Sequence, residues 1–197
     1  MVQVKKVEVE QAITKAAYEL FKSHGYSGTR MPQIAKAAGI STANIYVYFG
    51  SKLDILISVY QVWFADRFDE IKRQVIGCKD NRQALRKLFV AMWQTLPAAD
   101  DGFCSNLIEA LADRTSQEKY STLMRVPTDS ALDKMLAHCL PLLPPASRKA
   151  IANMLIMAFD GYVLNYHLPN GQKALDTEID LLCEVILSAY PGQSSNK

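Results

Sequence analysis

The stretch TRMPQIAKAAGISTANIYVYFGSK, residues 29–52, contains two short segments of helical periodicity separated by one glycine. Apolar residues recur at steps of three and four along about 31–38 and again along about 42–48, which predicts a short helix in each segment. Gly39 stands between them, where a residue of left-handed conformation would end the first helix. The order of helix, glycine-containing turn and helix is the layout of a helix-turn-helix.

The residues at the predicted helix ends fit this layout. Thr29 or Arg30 precedes the first helix, and Ser41 precedes the second. A threonine or serine hydroxyl in such a position can accept a hydrogen bond from an unpaired amide of the first turn. Ile45 and Phe49 lie four residues apart, so both are expected to face the protein interior.

In a helix-turn-helix the second helix enters the major groove of DNA, leading with its N-terminal residues. Here those residues are Thr42, Ala43 and Asn44. Small residues let the backbone approach base edges, Asn and Thr can hydrogen-bond to them, and a Thr methyl group can contact a thymine methyl group. The alternative is a plain helical protein, because a helix, a glycine and another helix occur together without any DNA partner.

Tyr46, Val47 and Tyr48 are expected to point outward or sideways from the second helix. A tyrosine hydroxyl can donate a hydrogen bond to a phosphate oxygen while its ring rests against the protein. Lys52 follows in the first turn of the next helix, where its ammonium group can neutralise a phosphate. The alternative is that the tyrosines belong to the core or its rim.

The longer string GYSGTRMPQIAKAAGISTANIYVYFGSK, residues 25–52, resembles the DNA-binding domain of the TetR family of transcriptional regulators. The positions that carry the resemblance are Gly25-Tyr26, Thr29, Ile34-Ala35, Ala38-Gly39-Ile40-Ser41, Ile45-Tyr46, Tyr48-Phe49 and Ser51-Lys52. Members of the family commonly differ from this chain at four of its positions: Thr42, Ala43, Val47 and Tyr48.

The resemblance implies two groups of DNA contacts. Phosphate contacts are implied at Thr29, Ser41, Tyr46, Tyr48 and Lys52, with Arg30 near the DNA backbone. Positions close to the bases are implied at Thr42, Ala43, Asn44 and Val47. For Thr29 and Ser41, a purely structural role as helix caps remains open.

Helical periodicity continues along the rest of the chain, and no strand pattern interrupts it. We expect an all-α fold: an N-terminal three-helix DNA-binding domain with the helix-turn-helix over residues 1–52, and a larger helical ligand-binding and dimerisation domain over 53–197. Beyond the helix-turn-helix, the predicted helices cover about 8–24, 51–76, 81–96, 103–114, 147–168 and 174–190, with Pro97 ending the third of these and a break at Val126-Pro127.

The family pairs its DNA reader with a helical domain that dimerises and binds a ligand. The last two helices, about 147–168 and 174–190, carry apolar stripes that fit a homodimer interface, although they could also cover only the protomer's own core. A pocket for a small-molecule effector is expected among aromatic and polar residues of the central helices: Trp63, Phe89, Trp93, Phe103, Asn106, Tyr120, Tyr162 and His167.

Composition is consistent with a soluble protein of a reducing compartment. Of 197 residues, 49% are hydrophobic and 21% charged, the net charge is +2, and the four cysteines show no C-x-x-C spacing. The chain opens without the apolar segment of a signal peptide, and no uncharged apolar run reaches the roughly 18 residues of a membrane span. We therefore expect a cytoplasmic protein without a membrane partner.

Catalysis is poorly supported. The three histidines are far apart in the sequence, and the common nucleophile, nucleotide-binding and zinc motifs are missing. The chain is thus predicted to be no enzyme and to need no cofactor or metal. The expected function is that of a homodimeric repressor that binds double-stranded DNA at a near-palindromic operator and is released by a ligand. The alternatives are an activator, or a helical small-molecule-binding or catalytic protein without this switch.

Overall fold

The computed structural model describes residues 2–99, 102–111, 126–167, 170–171 and 173–190; the side chains of 2–5, 103–104, 111, 126–127 and 167 are excepted. Within these ranges all regular structure is helical, which confirms the all-α expectation. The helices are α1 Val2–Gly28, α2 Met31–Ala37, α3 Thr42–Tyr48, α4 Lys52–Ile76, α5 Asn81–Val90, a π-helical turn Ala91–Thr95, α6 Leu96–Ala98, α7 Phe103–Leu111, α8 Val126–Cys139, α9 Pro145–His167 and α10 Asp176–Ala189.

The chain divides into two compact units. The first contains residues 1–64 and 101–124, and the second contains 65–100 and 125–197. Residues 53–64 therefore pack with the N-terminal helices, although they lie beyond the predicted DNA-binding domain of 1–52. The boundary at residue 52 follows the end of the stretch that resembles a helix-turn-helix domain, and it stays a prediction.

In the first unit, α1 packs against α2 and α7, and α2 packs against α3. Their apolar faces form one core because the helical periodicity of each segment brings its branched and aromatic residues to one side. The fully buried side chains of this core include Ile13, Phe21, Ile34, Ile45, Ile55, Leu56 and Tyr60.

A kink at Gly25 shapes the end of α1. Gly25 has φ 73° and ψ 169°, a conformation that residues with a Cβ rarely adopt. The helical hydrogen-bond ladder is broken there, so carbonyl groups before the kink and amide groups after it need other partners. The predicted helix over 8–24 thus ends at its expected place, and one distorted turn follows it.

In the second unit, α5 packs against α8 and α10, while α9 packs against α8, α6 and the π-helical turn. The core residues come from the inward stripes of these helices, as the three- and four-residue spacing predicts. They include Leu85, Leu88, Phe89, Met92, Leu132, Leu136, Leu155, Phe159 and Ile179.

The prediction that Pro97 ends the helix over 81–96 was wrong. The chain instead forms a π-helical turn at Ala91–Thr95, in which the Leu96 amide donates to the Ala91 carbonyl five residues earlier. Helical structure then continues through Pro97 to Ala98. A proline lacks the amide that a regular helix requires, and the wider turn just before it accommodates that loss.

The expected break near residue 126 lies at the edge of the described chain. Helix α8 begins at Val126 and has Pro127 in its first turn, where a missing amide costs little. Among the helices of the described ranges, none combines the length and the apolar character needed to cross a membrane.

Candidate nucleic-acid interface

The turn between α2 and α3 is built by Gly39. This residue has φ 72°, and apart from Gly39 and its chain neighbours no heavy atom lies within 4 Å of the place where a Cβ would stand. The Gly39 amide donates to the Lys36 carbonyl at 3.2 Å, and the Ile40 amide donates to the Ala35 carbonyl at 3.0 Å. This pair of bonds ends α2 in the left-handed manner that favours glycine and directs the chain into α3.

Helix α3 is capped and anchored as the sequence predicts. The Ser41 hydroxyl accepts a hydrogen bond from the Asn44 amide at 3.1 Å, so its capping role is confirmed. Ile45 is fully buried, and Phe49, which follows the helix, is buried as well. These two residues fix α3 on the first unit by one face only.

The opposite face of α3 is open to solvent. Val47 is 71% exposed although its side chain is apolar, and Tyr46 is 53% exposed although its ring is apolar. Thr42, Ala43 and Asn44 are exposed too, while Tyr48 is half-buried. The predicted base-proximal residues therefore lie together on the accessible side of one short helix.

The stretch of sequence that contains α3 carries charge of a single sign. Residues 20–53 contain Lys22, Arg30, Lys36 and Lys52 but no aspartate or glutamate. Arg30, just before α2, and Lys36, at its end, are exposed. A surface of this kind attracts the phosphates of a nucleic-acid backbone.

Thr29 was expected to cap α2 or to contact a phosphate, but its side chain points into the protein. It is 1% exposed, and its hydroxyl donates to the carbonyls of Gly25 at 2.8 Å and Leu20 at 3.2 Å. The kink at Gly25 explains this, because it leaves those carbonyls at the end of α1 in need of donors. The geometry favours the structural alternative for Thr29, while Arg30 is the residue that precedes α2.

Lys52 also faces inward. Its Nζ donates to the carbonyls of Tyr26 at 2.5 Å and Thr29 at 2.8 Å, and it lies 4.0 Å from the centre of the Tyr26 ring. Burial lowers the pKa of this ammonium group, and the Glu109 carboxylate acts in the opposite direction. In this arrangement Lys52 joins the start of α4 to the end of α1.

Two residues of α7 form hydrogen bonds with backbone groups near the end of α1, and the sequence interpretation did not assign them this role. The Ser27 amide donates to Glu109 at 2.9 Å, and this hydrogen bond is the main reason why the pKa of Glu109 is lowered. Asn106 is buried, and its side-chain amide donates to the carbonyls of Phe21 at 3.3 Å and Gly102 at 3.1 Å. Asn106 was predicted to contact a ligand, yet its amide group is used here within the first unit.

The other predicted ligand contacts fall into three groups. Phe89, Trp93 and Tyr162 come together in the second unit: the rings of Phe89 and Trp93 stack with centres 4.8 Å apart, and those of Trp93 and Tyr162 lie 5.8 Å apart. Trp63 belongs to the first unit and packs edge-on against Phe64. Tyr120 and the side chains of Phe103 and His167 lie outside the described residues.

Helices α9 and α10 each expose an apolar stripe. On α9, Met154 and Met157 are both 68% exposed, and Leu164 follows on the same side. On α10, Leu181 and Val185 are exposed. The opposite sides of both helices are buried in the core of the second unit, so these helices do contribute to the protomer's own core.

Comparisons with known proteins agree with the geometry of α2 and α3. Residues 13–59 match the model of the family described as "Bacterial regulatory proteins, tetR family". The chain is 37% identical over 82 residues to the transcriptional repressor NicS of Pseudomonas putida, an alignment that covers 41% of this chain and 38% of NicS. It is 31% identical over 88 residues to the transcriptional activator FasR of Mycolicibacterium smegmatis, covering 45% of this chain and 40% of FasR.

The aligned region thus spans about two fifths of the length of these curated relatives. A solved structure extends the likeness along the chain: Thermus thermophilus FadR, a TetR-family repressor in complex with lauroyl-CoA, has a TM-score of 0.71. It shares 20% sequence identity, and the match covers 95% of this chain and 98% of that one. At this identity the likeness concerns the fold.

Proposed function

We propose that this chain, which belongs to the TetR family of bacterial regulatory proteins, is a transcriptional regulator that binds double-stranded DNA through α3. The observation that carries the proposal is the exposed face of α3, anchored by Ile45 and surrounded by a stretch without acidic residues. A helix held by one face and flanked by positive charge suits insertion into the major groove.

The residues on and near α3 are proposed to make two kinds of DNA contact, with phosphates and with bases. Arg30, Ser41, Tyr46 and Tyr48 are proposed to contact phosphates, because Tyr46 and Tyr48 belong to α3, Ser41 and Arg30 precede α3 and α2, and all four carry donor groups. The base contacts are proposed at Thr42, Ala43, Asn44 and Val47. Thr29 and Lys52 are proposed to act indirectly, since their polar groups hold α1, α2 and α4 together.

The regulator is proposed to act as a homodimer. The exposed stripes of α9 and α10 offer apolar area that a second copy could bury, and Gly161 between Met157 and Leu164 has open space where a side chain would stand. Two copies related by a two-fold axis would present their α3 helices to half-sites about 34 Å apart. A near-palindromic operator matches that symmetry.

The ligand response is proposed to use the second unit. Phe89, Trp93 and Tyr162 form an aromatic cluster, and the similar FadR structure holds lauroyl-CoA. An apolar effector that repacks this cluster would lower DNA affinity, and by linkage DNA would lower effector affinity to the same extent. The protein is proposed to be a repressor that the effector releases from DNA; an activator is the alternative, because NicS is a repressor and FasR is an activator. No catalytic role is proposed.

The test is a DNA-binding measurement with matched variants. Fragments selected from bacterial genomic DNA are titrated by fluorescence anisotropy at several salt concentrations. Arg30→Ala should reduce the salt dependence by about one phosphate equivalent. Lys134→Ala removes an exposed lysine from α8 and should change nothing. Failure to bind any double-stranded fragment at low salt would refute the proposal.

A further inference from the structure

We infer that α3 reads thymine methyl groups, so that each operator half-site is recognised through A·T base pairs by Ala43 and Val47. This inference rests on the proposed DNA-binding function and specifies which chemistry of the duplex is recognised. It follows from the direction in which each side chain leaves the helix and from the groups that these side chains carry.

The direction in which each side chain of α3 points can be measured from the buried residue Ile45. Each residue advances about 100° around a helix axis, so Ala43 and Val47, two positions on either side of Ile45, point about 160° away from it. Ile45 is fully buried, and Val47 has the largest exposed fraction of the large apolar residues in the described part of the chain. Ala43 and Val47 are therefore the side chains that extend furthest toward a docked duplex.

The exposures of the neighbouring residues follow the same geometry. Tyr46 stands about 100° from Ile45 and is half exposed, while Tyr48 stands about 60° from it and is half-buried. Asn44 stands about 100° away on the other side and is exposed. The leading edge of α3 is thus a pair of methyl-bearing side chains with one amide beside it.

The chemistry of this edge selects among base pairs. The C5 methyl group of thymine is the apolar feature that a base presents in the major groove, and alanine and other small apolar groups contact it. Guanine is most often recognised by arginine or lysine with two hydrogen bonds, and α3, Thr42–Tyr48, contains no charged residue. Asn44 is suited to adenine, the partner of thymine, because its amide can bond to both N6 and N7.

Contact between Val47 and a thymine methyl group would favour DNA binding. A valine that is mostly exposed gains nothing in water, whereas contact with a thymine methyl group buries apolar area on both partners. Removing one buried methyl-sized group is expected to weaken binding about fourfold. The contact therefore gives a measurable preference for thymine over bases without a methyl group.

The experiment begins with selection of binding sites by the full chain from a random double-stranded library. In the enriched site each thymine is then replaced singly by deoxyuridine, which removes only the C5 methyl group. We expect about a fourfold loss of affinity at one or more thymines of each half-site. With Val47→Ala, deoxyuridine should no longer reduce affinity at one of these thymines. Val62→Ala, which shortens an exposed valine on α4, should respond to deoxyuridine as the unchanged protein does.

The outcomes separate the two proposals. If no sequence is enriched and no duplex binds, both the proposed function and this inference fail. If a site is enriched but deoxyuridine changes affinity nowhere, DNA binding stands and thymine recognition is overturned. If Val47→Ala remains as sensitive to every replacement as the unchanged protein, Val47 does not read the methyl group. Circular dichroism verifies that each variant is folded.

Discussion

Replacement of Thr29 by valine tests how the first unit is held together. Valine has nearly the same shape as threonine, so Thr29→Val removes the hydroxyl and leaves the packing intact. The Gly25 and Leu20 carbonyls, at 2.8 and 3.2 Å from that hydroxyl, would then lose a donor at a site that is almost completely buried. An unsatisfied buried polar group costs about 1–3 kcal/mol.

The expected result is a loss of stability without a loss of DNA contacts. A cost of about 2 kcal/mol should lower Tm by about 4–8 °C in a chain of this size. Calorimetry measures the change, and hydrogen exchange should place it in the last turns of α1. Thr42→Val, at an exposed position of α3, serves as the control and should leave Tm nearly unchanged.

DNA binding distinguishes the two roles considered for Thr29. If its hydroxyl only caps α1, the folded Thr29→Val protein should bind the selected DNA site with unchanged affinity. If Tm stays the same and the affinity falls at every salt concentration, the hydroxyl contacts DNA. That result would refute the structural role derived from the hydrogen bonds.

Three further predictions concern other parts of the chain. Glu109→Ala should lower the free energy of unfolding at neutral pH. The contribution of Glu109 is complete above the ordinary carboxyl pKa and is lost as the pH falls through its lowered pKa. Urea titrations of the two proteins should therefore differ at neutral pH and converge in acid. Met157→Asp should shift sedimentation toward the protomer, whereas Leu142→Asp, also at an exposed apolar position, should not; a protomer in the unchanged protein would contradict the dimer. Burial raises the pKa of the Cys139 thiol to about 12, so Cys139 should resist alkylation at pH 8 until urea unfolds the protein. Peptide mapping identifies the labelled thiol, and rapid labelling of Cys139 itself in the native protein would contradict its burial.

Local patterns predicted α3 well because its structure depends on local spacing. Four-residue periodicity was enough to assign Ile45 and Phe49 to the interior, and the serine before α3 identified its cap. The glycine at position 39 marked the turn for a physical reason, since its positive φ favours a residue without a Cβ. None of these features needs a partner from a distant part of the chain.

The long-range hydrogen bonds that hold the end of α1 could not be predicted in the same way. Glu109 reaches the Ser27 amide across 82 residues of sequence, and no periodic pattern connects the two. The position of Thr29 next to a short helix suggested a cap for α2, whereas the kink at Gly25 turns its hydroxyl toward α1. The π-helical turn was missed because the apolar spacing along 81–96 does not reveal one residue inserted into a helical turn.

The π-helical turn and Pro97 constrain one another during sequence change. A π-helical turn contains one more residue than the α-helical turn it replaces. Deleting a residue between 91 and 95 would restore the regular ladder and bring the proline ring against the carbonyl four positions earlier. Replacing the proline alone would restore an amide and remove the steric reason for the wide turn. The length of this segment and the residue at 97 are therefore expected to vary together among descendants of this chain.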